Sequence, residues 1–183
     1  MDQVGHNVGP QMTGLSLRKQ CWQAARKRLL PVLPIEVIRT RVRRAQVLGL
    51  DYKTYSGFRA STGHDLVAFL FSSNALRVSP AGRIPGLEAA KLASLQACRR
   101  IALSQGVGLD ILLCQNGDLL TEAFVVPAPY APFRDQVAAL RKALGLISGN
   151  RVVLVADAPW EGEWATAGVL AAARYFSIAD FNK

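Results

Sequence analysis

Apolar residues in the first third of the chain recur at spacings of three and four, the pattern of helices that are buried along one side. The pattern predicts three helices, over residues 17–30, from Pro34 to near Gly49, and over residues 52–61. Ser16 can cap the first of these helices with its hydroxyl group, and Pro31 ends it. We therefore expect a helical region at residues 16–62 that follows a flexible N-terminus at residues 1–15.

The pattern changes after residue 63, where short apolar runs alternate with amphipathic segments. The continuous apolar run at residues 66–71 is typical of a strand that is buried on both faces of a sheet, and residues 151–156 are predicted to form another strand. Asn116 and Gly117 lie between two more apolar runs and favour a tight hairpin, because both residue types tolerate positive φ angles. The remaining segments predict a stiff proline-rich loop at residues 127–132 and helices over residues 87–104, 133–144 and 164–176.

These elements predict an α/β fold for residues 63–183, in which helices cover the faces of one sheet. The sheet is expected to contain about four strands. Because two of those strands are joined by the hairpin, the sheet is predicted to be mixed rather than wholly parallel. The helices of residues 16–62 form a basic N-terminal extension to this α/β core.

Basic residues are concentrated in the same N-terminal third of the chain. Residues 1–60 hold 11 of the 22 lysines and arginines but three of the 13 acidic residues, so nearly all of the net charge of +9 lies there. Such an asymmetry indicates a polyanionic partner, because a local excess of one sign of charge attracts the other. The alternative is a basic segment that only keeps the protein soluble.

The stretch around Gly49 resembles a helix-turn-helix motif. Small and apolar residues stand at the spacings usual in that motif, at Ala45, Leu48, Gly49, Leu50, Tyr55 and Phe58. The resemblance covers about twenty residues and departs from the pattern at Arg44, where an apolar residue is usual. It implies that residues 52–59 form a recognition helix that faces a nucleic-acid groove with Tyr52, Lys53, Ser56 and Arg59.

The cationic residues of this stretch are the expected phosphate contacts. The residues predicted to bind nucleic acid are Arg39, Arg41, Arg43, Arg44, Tyr52, Lys53 and Arg59. At about 100° per residue, the arginines surround the exposed arc of their helix instead of forming one row. Two alternatives are equally compatible with this sequence. One is a helical hairpin that packs on the sheet and has solvated arginines, and the other is a protein-interaction module whose basic helices bind an acidic protein.

A second candidate site follows the strand predicted at residues 151–156. Asp157, Glu161 and Glu163 lie there with two tryptophans, at the end of a strand where open α/β sheets bind ligands. Crowded carboxylates can have shifted pKa values that suit acid and base chemistry. These three residues are candidate catalytic groups of a hydrolytic or small-molecule-binding enzyme. The alternative is the start of a helix, where the helix dipole favours acidic residues.

Two further candidates lie near the first strand. His64 stands beside Asp65, as an oriented catalytic base would, but no nucleophile motif accompanies it. Ser72, Ser73 and Asn74 follow the strand, where hydroxyl and amide groups can bind phosphate or sugar. The alternatives are a turn at His64 and a capped loop after the strand.

The sequence lacks the motifs that identify several common classes of nucleotide-binding and metal-binding proteins. The chain has no phosphate-loop, dinucleotide-binding, calcium-loop or zinc-protease motif, so neither a cofactor nor a metal is expected. Its three cysteines are far apart and its N-terminus does not have the pattern of a secretory signal, which indicates a reducing, cytoplasmic location. No apolar run reaches the ~18 residues of a membrane span. Binding of nucleic acid or another polyanion is the leading hypothesis, and whether the protein is also an enzyme stays open.

Overall fold

The computed structural model describes residues 21, 22, 24, 33–171 and 176–181. The chain forms two compact units, Met1–Ile38 and Arg39–Lys183. In the first unit, Cys21, Trp22 and Ala24 are helical. The flexible N-terminus predicted at residues 1–15 and the rest of the helix predicted at residues 17–30 lie outside the described residues.

Helices and strands alternate through most of the second unit. The helices with described bounds are α1 (Ile35–Val47), α2 (Tyr52–Thr62), α3 (Gly86–Ser94), α4 (Leu109–Asn116), α5 (Phe133–Leu144), α6 (Gly162–Ala167) and α7 (Ile178–Phe181). The strands are β1 (Ala68–Ser72), β2 (Arg99–Ser104), β3 (Glu122–Val125), β4 (Val152–Ala156) and β5 (Phe176–Ser177). Within the described ranges, no helix has the length and apolar character that crossing a membrane requires.

The strands are all parallel and lie in the order β3-β2-β1-β4-β5. Ala68 of β1 pairs with Arg99 on one side and with Val152 on the other, which places β1 at the centre of the sheet. Every residue of β1 and β4 is buried, and for β1 the apolar run at residues 66–71 predicted this burial. The α/β class is therefore confirmed, with five strands where about four were expected.

The predicted hairpin, and with it the mixed sheet, is wrong. The first of its two apolar runs forms helix α4, and the second leads into the parallel edge strand β3. Gly117 has a φ of −58°, a right-handed helical value, so the Asn-Gly pair makes no turn with positive φ. Asn116 is buried instead, and its amide donates to the carbonyl oxygens of Gly82 and Leu112. A short apolar run suits a buried strand and a buried helix equally well, and here a tertiary contact decides between them.

Two of the predicted helices are too long. Residues 87–104 contain most of helix α3 and all of strand β2, and the chain turns between them at Ala97, which has a φ of +51°. Residues 164–176 contain most of α6 and the start of β5. The pattern misses β2 because that strand begins with two arginines, and it misses β5 because that strand is two residues long.

The sheet separates two hydrophobic cores. On one face the strands pack against α1, α2, α3, α4 and α7, through side chains that include Phe69, Phe71, Val153 and Val155. On the other face they pack against α5 and α6, through side chains that include Leu70, Ile101, Leu103 and Leu154. Ala45 of α1 and Tyr55 of α2 belong to the first core, so the basic pair of helices forms part of a layer that covers the sheet.

Candidate functional site

Helices α1 and α2 are joined by a tight turn whose local interactions follow from its residues. Gly49 has a φ of +64°, a left-handed conformation that glycine adopts without strain. The Asp51 carboxylate accepts a hydrogen bond from the Thr54 amide at 3.0 Å and so caps the start of α2. Hydrogen bonds from Thr54 hold the pKa of Asp51 below its usual value, so this carboxylate is ionised at neutral pH.

Arg44 is bound within the fold. Its Nε atom lies 3.0 Å from a carboxylate oxygen of Asp65. Its two terminal nitrogen atoms donate to the carbonyl oxygens of Leu66, at 2.7 Å, and Ala97, at 3.3 Å. These contacts join α1 to the segments that lead into β1 and β2. An arginine whose charge is neutralised thus stands where a helix-turn-helix has an apolar residue, and all three of its side-chain nitrogen atoms have acceptors in the chain.

Asp65 also accepts a hydrogen bond from Tyr55. The Tyr55 hydroxyl donates to the second Asp65 oxygen at 2.8 Å, and burial raises the pKa of this tyrosine. Both oxygens of Asp65 are therefore used, one by Arg44 and one by Tyr55. His64 is exposed, and its backbone amide donates to the Thr62 hydroxyl at 3.1 Å. The structure places this histidine in a turn, beside a carboxylate that already accepts hydrogen bonds from Arg44 and Tyr55.

The other five cations of the α1–α2 pair are exposed or half-buried. Arg39, Arg43 and Lys53 are exposed, and Arg41 and Arg59 are half-buried. We call these five residues the basic surface. The Nε atom of Arg41 is buried and has no hydrogen-bond partner within the described ranges. Helices α1 and α2 hold six cationic residues, and the acidic residues that accompany them are Glu36 in the first turn of α1 and the capping residue Asp51, so positive charge exceeds negative charge in this pair.

The predicted recognition helix, α2, directs much of its surface inward. Tyr55 is 2% exposed, and the ring of Phe58 meets that of Phe176 edge-on with 5.9 Å between the ring centroids. Of the four residues predicted to face a groove, Lys53 is exposed, and the others, Tyr52, Ser56 and Arg59, are half-buried. The helix therefore presents positive charge more readily than polar groups that could reach the edges of bases.

A different arrangement lies at the carboxyl edge of the sheet. Glu161 is fully buried, and its Oε2 atom accepts hydrogen bonds from the Ser72 hydroxyl and from the amides of Asp157 and Ala158, at 2.9 to 3.0 Å. Its Oε1 atom accepts a fourth hydrogen bond, from the side-chain amide of Asn74 at 2.9 Å. We call these five residues the Glu161 network. It ties the end of β1 to the end of β4 and uses about all of the four acceptor positions that a carboxylate offers.

The three predicted catalytic carboxylates have different environments. Glu161 is buried, whereas Asp157 and Glu163 are exposed. Glu163 accepts a hydrogen bond from the side-chain amide of Gln136 in α5 at 3.0 Å. Among the residues that the structure describes, no group of three His, Cys, Asp or Glu side chains could hold a metal ion. Asp157 is thus the carboxylate that faces solvent directly after β4.

Strands β1 and β4 are neighbours whose following helices lie on opposite faces of the sheet. Leu92 of α3, the helix after β1, belongs to one core, and Trp164 of α6, the helix after β4, belongs to the other. Open α/β sheets commonly bind ligands at the carboxyl ends of two neighbouring strands whose loops diverge in this way. Asn74 and Asp157 are exposed on these two loops.

The contacts that organise both regions join residues far apart in the sequence. The Ser72–Glu161 pair is separated by 89 positions, and the Arg44–Asp65 pair by 21. The sequence pattern indicated Glu161 and the residues after β1 as separate candidates, and it did not indicate that Asp65 is the partner of Arg44. No local spacing signals either contact, because the order of the strands brings these residues together.

Comparison of the chain with protein-family models, with curated proteins and with solved structures gives no match. A function is therefore inferred from the residues themselves and their geometry.

Proposed function

We propose that the chain binds nucleic acid, or another polyanion, through the basic surface of α1 and α2. The observation that supports this most is the contrast between two consecutive arginines: Arg44 is neutralised by Asp65, whereas Arg43 is exposed. Arg43 takes part in no ion pair with another described residue, and Lys53 forms no direct ion pair but interacts electrostatically with Asp51. Phosphate groups would neutralise these charges and release their own counterions, which favours binding at low salt.

We infer that this surface contacts the phosphate backbone rather than the edges of bases. Specific reading of a groove requires several polar side chains to extend from one helix face. In α2, two of the side chains predicted for that task, Tyr52 and Ser56, are half-buried, while the cation Lys53 is exposed. Binding is therefore expected to be steeply salt-dependent and to discriminate little between sequences.

A first experiment is to purify the protein in low salt and to determine what accompanies it. An absorbance ratio typical of bound nucleic acid, with nucleotides detected by mass spectrometry, is the expected result. An acidic protein that co-purifies without nucleic acid would favour the protein-interaction alternative instead.

A second experiment compares variants by fluorescence anisotropy with labelled duplex and single-stranded oligonucleotides. The double variant Arg43→Gln with Lys53→Gln removes two exposed charges and is expected to bind at least about tenfold more weakly at low salt. The matched control, Arg141→Gln with Lys142→Gln, removes two exposed charges from the last turn of α5. Equal affinities of the two double variants, or no binding by the wild type even at low salt, would contradict the proposal.

A second candidate function is the binding of a small molecule at the carboxyl edge. The reversal of strand order between β1 and β4 favours it, because the carboxyl ends of the strands at such a reversal are the usual ligand site of an open α/β sheet. The exposed side chains of Asp157 and Asn74 would contact the ligand, while the hydrogen bonds that Glu161 accepts hold the two loops in place. Native mass spectrometry of the purified protein tests this. A bound metabolite that Asp157→Asn no longer retains is expected, and retention by that variant would exclude Asp157 as a ligand contact.

We also propose a cytoplasmic location. Cys21, Cys98 and Cys114 are all free thiols, and burial raises the pKa of the Cys98 thiol, which keeps it in its less reactive form. Free thiols are typical of reducing compartments. Fractionation of cells that express a tagged copy of the chain tests the proposal, and recovery of the tag outside the cytoplasm would contradict it.

A further inference from the structure

The carboxyl edge of the sheet holds two exposed residues, Asn74 and Asp157, that bind the same buried carboxylate. The side-chain amide of Asn74 donates to Oε1 of Glu161 at 2.9 Å, and the backbone amide of Asp157 donates to Oε2 at 2.9 Å. Because these contacts use the two oxygens of one carboxylate, Asn74 and Asp157 lie close together although they follow different strands. Glu161 is fully buried and accepts four hydrogen bonds, so it holds both residues in place.

The side-chain amide of Asn74 has a defined orientation. Its nitrogen atom must face Glu161, because a carboxylate accepts hydrogen bonds and does not donate them. The amide oxygen accepts no hydrogen bond from another described residue, and the second N–H of the amide has no acceptor among them. Asn74 therefore offers an outside molecule both an acceptor and a donor.

The side chain of Asp157 supplies acceptors only. Its carboxylate forms no ion pair or hydrogen bond with another residue that the structure describes, since Asp157 binds Glu161 through its backbone amide. Glu163, the other exposed carboxylate after β4, already accepts a hydrogen bond from Gln136. The two oxygens of Asp157 can therefore accept hydrogen bonds from two adjacent donors of one molecule.

Two cations of the loop after β1 already have partners. Arg77 pairs with the buried Glu88 at 3.6 Å, and the Nε atom of Arg83 donates to the side-chain oxygen of Gln115 at 3.3 Å. An anionic group at this edge would compete with those acceptors for the arginines, and the exposed carboxylate of Asp157 would repel it. A neutral ligand therefore suits the edge better than an anionic one.

We propose that the ligand of this edge carries two adjacent hydroxyl groups, as a free sugar or the ribose of a nucleoside does; this rests on the proposed function of the carboxyl edge as a small-molecule site. Asp157 accepts one hydrogen bond from each hydroxyl. Asn74 completes the contact, because a hydroxyl can both donate to its amide oxygen and accept from its remaining N–H. An ammonium group would bind Asp157 equally well, but it has no acceptor for that N–H.

The test is a titration of the ¹⁵N-labelled full chain followed by NMR, with two pairs of probes. Methyl β-D-ribofuranoside and adenosine carry the adjacent hydroxyls, and tetrahydrofurfuryl alcohol and 2′,3′-dideoxyadenosine are the corresponding molecules without them. The hydroxyl probes are expected to shift the amide resonances of Asp157 and Ala158 saturably, with dissociation constants of about 5 mM or less. Their partners are expected to bind at least about tenfold more weakly, because the polar groups of the site are then left unpaired. Tighter binding of adenosine than of the ribofuranoside assigns the hydroxyls to a nucleoside, and equal or weaker binding assigns them to a free sugar.

The variant Asp157→Asn removes one of the two oxygens that accept the hydroxyls. It leaves the contacts of Glu161 in place, because those use the backbone amide of residue 157. The variant is expected to bind the hydroxyl probes about tenfold more weakly. The control variant Asp118→Asn changes an exposed carboxylate on the segment that leads into β3, at the opposite edge of the sheet, and is expected to bind as the wild type does.

The possible failures separate this inference from the function on which it rests. Equal binding, at these resonances, of probes with and without hydroxyls would overturn the inference and would still support a ligand site at the edge. Unchanged binding to Asp157→Asn, an equal loss in Asp118→Asn, or no saturable shift with any probe below about 20 mM would also overturn it. The native mass spectrum of the same sample then shows whether the edge holds a ligand of another class.

Discussion

The Glu161 network and the basic surface use charge in opposite ways. In the Glu161 network a single buried carboxylate receives four hydrogen bonds, all from within the chain. On the basic surface, Arg43 and Lys53 are exposed; Arg43 pairs with no described carboxylate, and Lys53 has an electrostatic interaction with Asp51 but no direct ion pair. A buried charge is tolerated only when the fold supplies its partners, whereas an exposed charge leaves room for a partner from outside. The buried carboxylate therefore holds the fold together, whereas the exposed cations are available to bind a partner.

The largest effect is expected from removing the buried carboxylate. Glu161→Ala leaves the donors of Ser72, Asn74 and two backbone amides without an acceptor, and we expect the free energy of unfolding to fall by about 4 kcal/mol. Asp157→Asn changes an exposed side chain beside the same network and is expected to cost less than about 0.5 kcal/mol. Urea denaturation of both variants measures the difference. Similar losses for the two variants would mean that the network does not stabilise the fold.

The next largest effect distinguishes two neighbours on α1. Arg44→Ala removes the ion pair with Asp65 and two hydrogen bonds to carbonyl oxygens, so we expect a loss of about 2 kcal/mol in the free energy of unfolding. Arg43→Ala is expected to change stability by less than about 0.5 kcal/mol. The same denaturation experiment measures both. If the two substitutions destabilise the protein equally, the division between structural and binding arginines on this helix is wrong.

A smaller effect, with a distinctive pH dependence, is expected at Tyr55. Tyr55→Phe removes the hydrogen bond to Asp65 and should cost about 1 kcal/mol at neutral pH. The pKa of Tyr55 is raised above its usual value of 10.0 in the folded state, so the unfolded chain ionises first as the pH rises. The stabilising contribution of Tyr55 is therefore complete below pH 10 and is lost as the pH rises through the folded pKa. Denaturation at a series of alkaline pH values should show a steeper loss for the wild type than for Tyr55→Phe, and equal slopes would contradict the assignment.

The sequence predicted the elements whose patterns were strong and missed those that tertiary contacts decide. Strands β1 and β4 were found because runs of buried residues identify strands at the centre of a parallel sheet. The hairpin was wrong because Asn116 is used inside the fold, where it binds Gly82 and Leu112, and not in a turn. The local sequence pattern could not predict the hydrogen bond from Asn116 to Gly82, because Gly82 lies on a loop 34 residues away.

The sequence pattern identified the candidate residues, but it did not show which of them stabilise the fold and which are exposed. The pattern identified the cations of α1 and α2 together and gave no reason to separate Arg44 from Arg43, because the partner Asp65 lies beyond the next helix. It likewise grouped Asp157, Glu161 and Glu163, although Glu161 is buried by contacts with Ser72 and Asn74 from a different strand end.

The most direct measurement of the central claim is the salt dependence of binding to a duplex oligonucleotide. For the wild type, the logarithm of the binding constant should fall linearly with the logarithm of the salt concentration, by about 0.9 for each phosphate that a cation neutralises. If Arg43 and Lys53 each contact a phosphate, the Arg43→Gln, Lys53→Gln variant should have a slope smaller by about 1.8, while the Arg141→Gln, Lys142→Gln control keeps the slope of the wild type. An unchanged slope in the first variant, or an equal decrease in the control, would contradict the claim that the basic surface binds a polyanion.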